Sequence, residues 1–422
     1  MKIKEEIMTV MQEISNNGYE IYLVGGAVRD QLLNIENKDY DLCTNASLTE
    51  IKKLYPNFKI MNPNNHRNTG ILKINNIDIE ISEYRGKTLK EDLSNRDFTI
   101  NSIVVDKNGN IIDYFDGKKD LKLHTIKLIK ENGAGLIMDP LRILRAIRLS
   151  ENLNFKIDEN TKNMMDKYKE KLNDVSKERI YNEFCQILLG PNPSKAIREN
   201  LNIFFEILPE LKPSYKFNQN SKWHIYDVLE HTLVALENTP PNLYVRLTIL
   251  FHDLGKPFTY TLGEDGHGHF PLHNIESVKL FEKISKRLHI DKKTYHIVKK
   301  LILKHDQKFS LKPRKIYNYI KENGKEFIDL LFLVMKADNL GQNPYFAKDD
   351  LKLLEQTKKI YQKYIDIIEN MEINRKDLLA NGYRGIIIKN ILDDINLKVI
   401  EGKIPNNKKV LQEYIKQKYP LK

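Results

Sequence analysis

The chain has 422 residues, 41% hydrophobic and 30% charged, with a formal net charge of +11 and a sequence pI near 9.1. That length allows several packed cores in two to four domains, and the positive excess favours a polyanionic partner. Two cysteines, Cys43 and Cys185, with no CxxC spacing, exclude a disulfide framework and a cysteine zinc site.

In chain order, the first part alternates helix and strand. Ile21 to Val24, Tyr40 to Cys43, Gly70 to Ile74, Ile77 to Glu83 and Ile111 to Tyr114 are predicted strands between Gly, Asn and Asp turns. After about residue 136 the whole chain reads as helix. Asp139 to Leu149, Glu178 to Leu189, Tyr226 to Leu236, Tyr244 to Leu254 and Phe327 to Leu340 carry apolar residues at helical spacing. Breaks fall at Gly190-Pro191-Asn192-Pro193, Pro209 to Lys222, Pro240-Pro241 and Gly263 to Gly268. The charged start Met1-Lys2-Ile3-Lys4-Glu5-Glu6 reads against a signal peptide, and no apolar run approaches membrane-spanning length. A soluble cytoplasmic protein with no membrane contact is expected.

The densest chemistry lies between residues 21 and 41. An apolar strand opens into Gly25-Gly26-Ala27-Val28-Arg29-Asp30, a glycine turn leading to a helix whose free N–H groups can hold phosphate. Asp39-Tyr40-Asp41 follows, and alternation along a strand puts both carboxylates on one side. Two carboxylates so placed repel each other unless a cation joins them. Mg²⁺ takes such oxygens together with substrate phosphates, and can activate an attacking hydroxyl and stabilise departing pyrophosphate. An isolated Asp-x-Asp is more often a solvated turn; the glycine turn just upstream tips the reading to a nucleotidyl-transfer site.

These residues resemble the class II tRNA nucleotidyltransferases, the CCA-adding enzymes, and the related bacterial poly(A) polymerases. Leu23 to Asp30 with Asp39-x-Asp41 is similar to the first motif of that family, and Arg96-Asp97-Phe98-Thr99-Ile100-Asn101 to its second. Asp139-Pro-Leu-Arg142-Ile-Leu-Arg145-Ala-Ile-Arg148 resembles the base-reading motif, and Glu178-Arg179-Ile-Tyr-Asn-Glu183 the helix that braces it. The likeness continues to Ile373-Asn-Arg-Lys-Asp377-Leu378 and Val399-Ile-Glu-Gly402. It implies a DNA polymerase β-like head in which Asp39 and Asp41 hold Mg²⁺. Gly25, Gly26 and Arg29 would contact the triphosphate, and Arg96 with Asp97 the ribose side. Glu80 is either an added carboxylate or a solvated edge residue. On the predicted helix, Asp139 and Arg142 share a face and offer an acceptor and a donor to a base edge, with Arg145 and Arg148 continuing toward phosphate. The rival reading is an Arg-rich helix making ordinary ion pairs.

The sequence departs from this family in three places. Met138 and Asn95 stand where the family usually carries Glu and Arg. The connection from Gly86 to Asn95 is far shorter than the flexible loop of full CCA-adding members, which resembles the members that add only CC.

Further along, His231, His252-Asp253, His273, His305 and Asp338 resemble the ligand string of the HD phosphohydrolase superfamily. Imidazoles with carboxylates suit a divalent metal such as Mn²⁺, Fe, Ni²⁺ or Mg²⁺, here left unassigned. His224, His267 and His269 read as loop or core histidines. Residues 351–422 contain 15 Lys or Arg against 9 Asp or Glu, a tail that is either RNA-binding or a solvated basic face.

The fold class expected is α+β, with a small mixed α/β head and an all-α neck, body and tail. The parts are a nucleotidyltransferase head at 1–135, a templating neck at 136–212, an HD-type body at 213–345 and a basic tRNA-binding tail at 346–422. The expected activity is addition of CCA, or of CC alone, to tRNA 3′ ends from CTP and ATP. In the CC case a separate A-adding enzyme is a partner. The rivals are a poly(A) polymerase acting on general RNA ends, an HD phosphohydrolase with a nucleotide-binding head, and a non-catalytic RNA-binding protein.

Overall fold

A computed structural model of the chain describes residues 3–37, 39–61 and 68–421. It divides into two compact units, Met1–Pro191 with Glu199–Ile207, and Asn192–Arg198 with Leu208–Lys422.

The first unit is built on seven short strands: Ile21–Val24 (β1), Tyr40–Thr44 (β2), Lys59–Ile60 (β3), Thr69–Ile74 (β4), Ile77–Glu83 (β5), Val104–Val105 (β6) and Ile111–Ile112 (β7). They form one sheet in the order β3-β4-β5-β2-β1-β6-β7. The helices Glu5–Asn16 (α1), Gly26–Leu32 (α2), Leu48–Leu54 (α3), Leu89–Ser94 (α4) and Gly117–Lys122 (α5) accompany it. Ser47 and Glu50 cap α3 reciprocally, and the Thr88 hydroxyl accepts from Glu91 N at the start of α4. β2 is central and buried at its far end, through Leu42, Cys43 and Thr44, whereas Tyr40 and Asp41 at its start are half-buried. The carboxylates therefore emerge where the sheet opens.

After the sheet in the chain come Ala134–Met138 (α6), Arg142–Leu153 (α7), Glu159–Tyr168 (α8) and Lys177–Leu189 (α9). The α+β class expected from the sequence is the one observed. The reading of everything past residue 136 as helix needs correction. Lys156–Ile157 (β9) pairs in parallel with Thr125–Ile126 (β8), and Thr261–Leu262 (β10) forms a hairpin with Gly268–His269 (β11). Two-residue strands carry too short an alternation to be read from pattern.

Pro193–Glu199 (α10) falls almost wholly in the second unit and Leu201–Ile207 (α11) in the first. The second unit continues with Val228–Glu237 (α12), Leu243–Phe251 (α13), Lys256–Thr259 (α14), His273–Leu288 (α15), Lys292–Lys304 (α16), Pro313–Asn323 (α17), Lys325–Leu340 (α18) and Pro344–Glu369 (α19). Arg375–Ala380 (α20), Ile386–Ile400 (α21) and Lys408–Lys418 (α22) close the chain. Ile316, Ile328, Phe332 and Tyr361 form one core there, and Ile373, Ile391, Ile395 and Leu411 another. Among the described residues, no helix is long and apolar enough to cross a membrane.

Candidate active site and candidate metal centre

β1 ends at Val24, and Gly25 turns the chain with φ 77°, in the left-handed region that favours glycine, before α2 begins at Gly26. The turn is tight against β2, since a Cβ on Gly25 would stand 3.1 Å from Asp41 Oδ2. Asp41 lies across from Val24 on β1 and from Glu80 on β5. Residues directly opposed in a sheet share a face, so Glu80 joins Asp41 there, while exposed Asp39 sits just before the strand. These are hard oxygen donors at an open sheet end, a set that fits Mg²⁺.

Arg29 on α2 donates to Asp30 (2.7 Å) and to Asn101 Oδ1 (2.8 Å). Asn101 in turn donates to Asp97 Oδ1, and Arg145 reaches Asp97 Oδ2 at 2.7 Å. Burial opposes the charge on Asp97, but Arg145, Asn101 and Arg142 more than offset it and hold the carboxyl well below the usual range. Arg96 donates to Asp92 through Nε and Nη2, and Arg148 pairs with Glu183 at 2.8 Å. Arg29, Arg96, Arg145 and Arg148 are thus held by carboxylates that orient them.

The predicted helix face shared by Asp139 and Arg142 does not form. α6 ends at Met138, α7 starts at Arg142, and Asp139 between them is out of helical geometry, with φ −142° and ψ 88°. Pro140 is the cause, because the residue before a proline is driven out of helical geometry. Buried Arg142 spends its guanidinium on the backbone, donating to Arg96 O (2.9 Å) and Asn95 O (2.7 Å). The guanidinium beside Asp139 belongs to Arg179 on α9, at 3.2 Å. Asp139, Arg142, Arg145, Arg179, Glu183, Asn95 and Arg85 line a cavity of about 740 Å³, large enough for a nucleotide. The sequence reading used Arg179 only as part of a bracing helix. Its i,i+4 spacing from Glu183, facing the arginines of α7, was the available signal.

In the second unit, the six residues of the histidine string converge. Asp253 Oδ2 is 3.4 Å from His231 Nε2 and 3.2 Å from His252 Nε2. Asp338 Oδ1 is 3.0 and 3.4 Å from the same two nitrogens. His273 Nε2 lies 3.4 Å from Asp253 Oδ1 and 3.2 Å from His305 Nε2. Each imidazole turns its other nitrogen to a backbone carbonyl: His231 to Gly341 (2.9 Å), His252 to Ile249 (2.6 Å), His273 to Phe270 (3.0 Å) and His305 to Ile302 (2.7 Å). Donation from Nδ1 turns every Nε2 inward, the outer-shell arrangement of metal-binding histidines.

His231 Nε2, His252 Nε2 and Asp253 Oδ1 are buried without a hydrogen-bond partner, and a divalent cation would satisfy them. Burial lowers His252, but Asp253 and Asp338 outweigh it and raise the imidazole to about 10, whereas burial pushes His305 down to about 4. Lys256 Nζ, 2.6 Å from Asp253 Oδ2, also donates to Gln219 Oε1, a residue the sequence reading did not single out. His224 packs edge-on against His231 at 4.8 Å, and exposed His269 meets Asp265 on the hairpin.

Residues 21–88 and 80–127 match the family described as the poly A polymerase head domain. Residues 154–214 match the probable RNA and SrmB-binding site of polymerase A, and 224–342 the HD domain. The CCA-adding enzyme of Ligilactobacillus salivarius is 28% identical across 98% of this chain and 96% of its own length. The CC-adding tRNA nucleotidyltransferase of Halalkalibacterium halodurans is 37% identical across 45% of this chain and 50% of its own. Among solved structures, the chain resembles the Bacillus stearothermophilus CCA-adding enzyme in complex with CTP, with a TM-score of 0.64 at 21% identity over 98% of each chain. It also resembles the Thermotoga maritima CCA-adding enzyme complexed with tRNA, with a TM-score of 0.62 at 20% identity over 98% of this chain and 96% of that one.

Proposed function

We propose, from the premise that this chain belongs to the family of CCA-adding tRNA nucleotidyltransferases and poly(A) polymerases, that it extends tRNA 3′ ends with nucleotides from CTP and ATP. The observation that carries this reading is the packing of Asp41 between the Gly25 turn and Glu80, at the open end of the sheet. The RNA 3′ hydroxyl oxygen attacks the α-phosphorus as its proton passes to solvent, a new P–O bond forms, the bond to the oxygen bridging the β-phosphate breaks, and pyrophosphate leaves. Asp39 and Asp41 would hold Mg²⁺, which when bound supplies activation of the hydroxyl and neutralisation of the leaving group. Arg29 and the Gly25-Gly26 turn receive the triphosphate, Arg96 and Asp97 orient the ribose, and Asp139 presents an acceptor to the base. Incubating the protein with tRNA lacking its 3′ end and each nucleotide separately tests this; incorporation of neither CMP nor AMP refutes it.

The parts we assign are the head at 1–135, the templating neck at 136–212, the HD-type body at 213–345 and the basic tRNA-binding tail at 346–422, acting in the cytoplasm. The body, in this reading, binds a divalent metal through His231, His252, Asp253, His273, His305 and Asp338 and hydrolyses phosphoesters independently of the head.

A narrower version has its own support. The connection Gly86 to Asn95 is mostly the short helix α4, tied at its end by Asn95 to Arg85 O (2.7 Å) and by Lys130 to Asn95 Oδ1 (2.9 Å). So short and fastened a segment has little reach to reset the pocket from CTP to ATP, which favours a stop at CC and a separate A-adding enzyme. Sequencing the ends formed with both nucleotides present decides it: products ending in CCA refute the restriction.

A further inference from the structure

The segment from Lys130 to Arg142 carries Asp139, and both of its ends close on one residue. At one end Lys130 Nζ donates to Asn95 Oδ1 (2.9 Å); at the other, Arg142 Nη2 donates to Asn95 O (2.7 Å). Asn95 is itself fixed from the sheet side, since its Nδ2 donates to Arg85 O (2.7 Å) and its carbonyl also receives Arg85 Nη1 (3.2 Å). Arg85 N donates to buried Asp92, which Arg96 also grips. The guanidinium of Arg142 also lies against Gly135, where a Cβ would stand 2.7 Å from Nη1. Asp139 therefore lies in a segment, the short helix α6 with its flanks, whose two ends are both tied to Asn95.

On the reading of this chain as a nucleotidyltransferase, we infer that Asn95 and Lys130 are positioning residues that determine nucleotide selectivity. Neither needs to touch the base. They fix the distance between the ends of the segment, and so the place at which Asp139 and the guanidiniums around it meet the base edge in the cavity. Discrimination by paired hydrogen bonds depends on donor and acceptor positions to within a few tenths of an ångström, so releasing an anchor costs selectivity before it costs turnover.

The test compares Lys130→Ala, Lys130→Arg and Asn95→Asp with the unaltered protein. Asn95→Asp keeps an oxygen for Lys130 but loses the donor to Arg85, and it preserves shape should Lys130→Ala fail to fold. Steady-state kcat and KM are measured separately for CTP, UTP and ATP on tRNA lacking its 3′ end, with thermal unfolding in parallel. The expected result is a fall of about tenfold in the CTP to UTP ratio of kcat/KM for Lys130→Ala and Asn95→Asp. For Lys130→Ala the kcat for CTP should stay within about threefold of the unaltered protein, and Lys130→Arg should recover the ratio. A ratio unchanged in both variants, or an equal loss for all three nucleotides tracking a lower unfolding temperature, overturns the inference. An unaltered protein that adds no nucleotide would overturn the transferase reading itself and this inference with it, an outcome distinct from a selective enzyme whose variants stay selective.

Discussion

Asp139 and Arg179, forty residues apart in the chain, meet at 3.2 Å on the wall of the cavity, while Arg142 is turned onto the carbonyls of Asn95 and Arg96. The two arginines thus carry different loads. Arg142 is buried and serves two acceptors, whereas the Arg179 side chain is 45% exposed.

Their substitutions should separate accordingly. Arg142→Ala removes two inner hydrogen bonds, to Arg96 O and Asn95 O, and should cost roughly 1–3 kcal/mol of stability along with nucleotide discrimination. Arg179→Ala removes an exposed pair and should cost less than about 1 kcal/mol, with its effect confined to nucleotide KM. Denaturant unfolding beside nucleotide kinetics checks both; equal destabilisation would show that burial does not divide the roles.

Asp39→Ala and Asp41→Ala should each lower nucleotide addition by at least about a hundredfold with tRNA affinity nearly unchanged, because what is lost is stabilisation of charge in the transition state. Glu80→Gln tests the third carboxylate. A drop comparable to that of Asp41→Ala would make Glu80 a ligand, and near-normal activity would leave it a solvent-facing residue of an interior strand. Filter binding and single-nucleotide extension are the measurements.

In the second unit, Asp253→Asn should empty the body of bound divalent metal by elemental analysis and remove phosphoester hydrolysis, while nucleotide addition persists. Asp253 contacts three of the four imidazoles at 3.2–3.4 Å, so no other single ligand touches as much of the centre. Full metal content in the variant would rule out the proposed ligand set.

The Asp97 carboxyl supplies a pH dependence. Its folded value is depressed, so its contribution is complete above the ordinary carboxylate range, about pH 4–5, and is lost as pH falls toward the lowered value. Asp97→Asn should flatten the acid side of the stability profile and leave the slope above neutrality unchanged. Urea midpoints measured from pH 7 down to pH 3 give the comparison; parallel curves for the two proteins would assign the acid loss to other groups.

Much of the architecture was legible because the signals are local. The apolar run Ile21 to Val24, the glycine turn, the strand with Asp41 and the amphipathic stretches of the later helices announce themselves within a few residues. The histidine string was legible through residue type and order. Even the break between Asp139 and Arg142 was written in Pro140, although helical spacing alone suggested a shared face.

The remainder required the folded chain, since it depends on contacts between residues far apart in sequence. Arg179 reaches Asp139 only because α9 packs against α7, and Asn95 becomes an anchor only when Lys130 and Arg142 arrive from either end of one segment. The inward aim of His231 comes from Gly341, 110 residues away, and backbone carbonyls leave no trace in residue identity. Local pattern decided which strands, turns and ligand types exist; packing decided which donors meet which acceptors, because hydrogen-bond partners are selected by distance and angle in space.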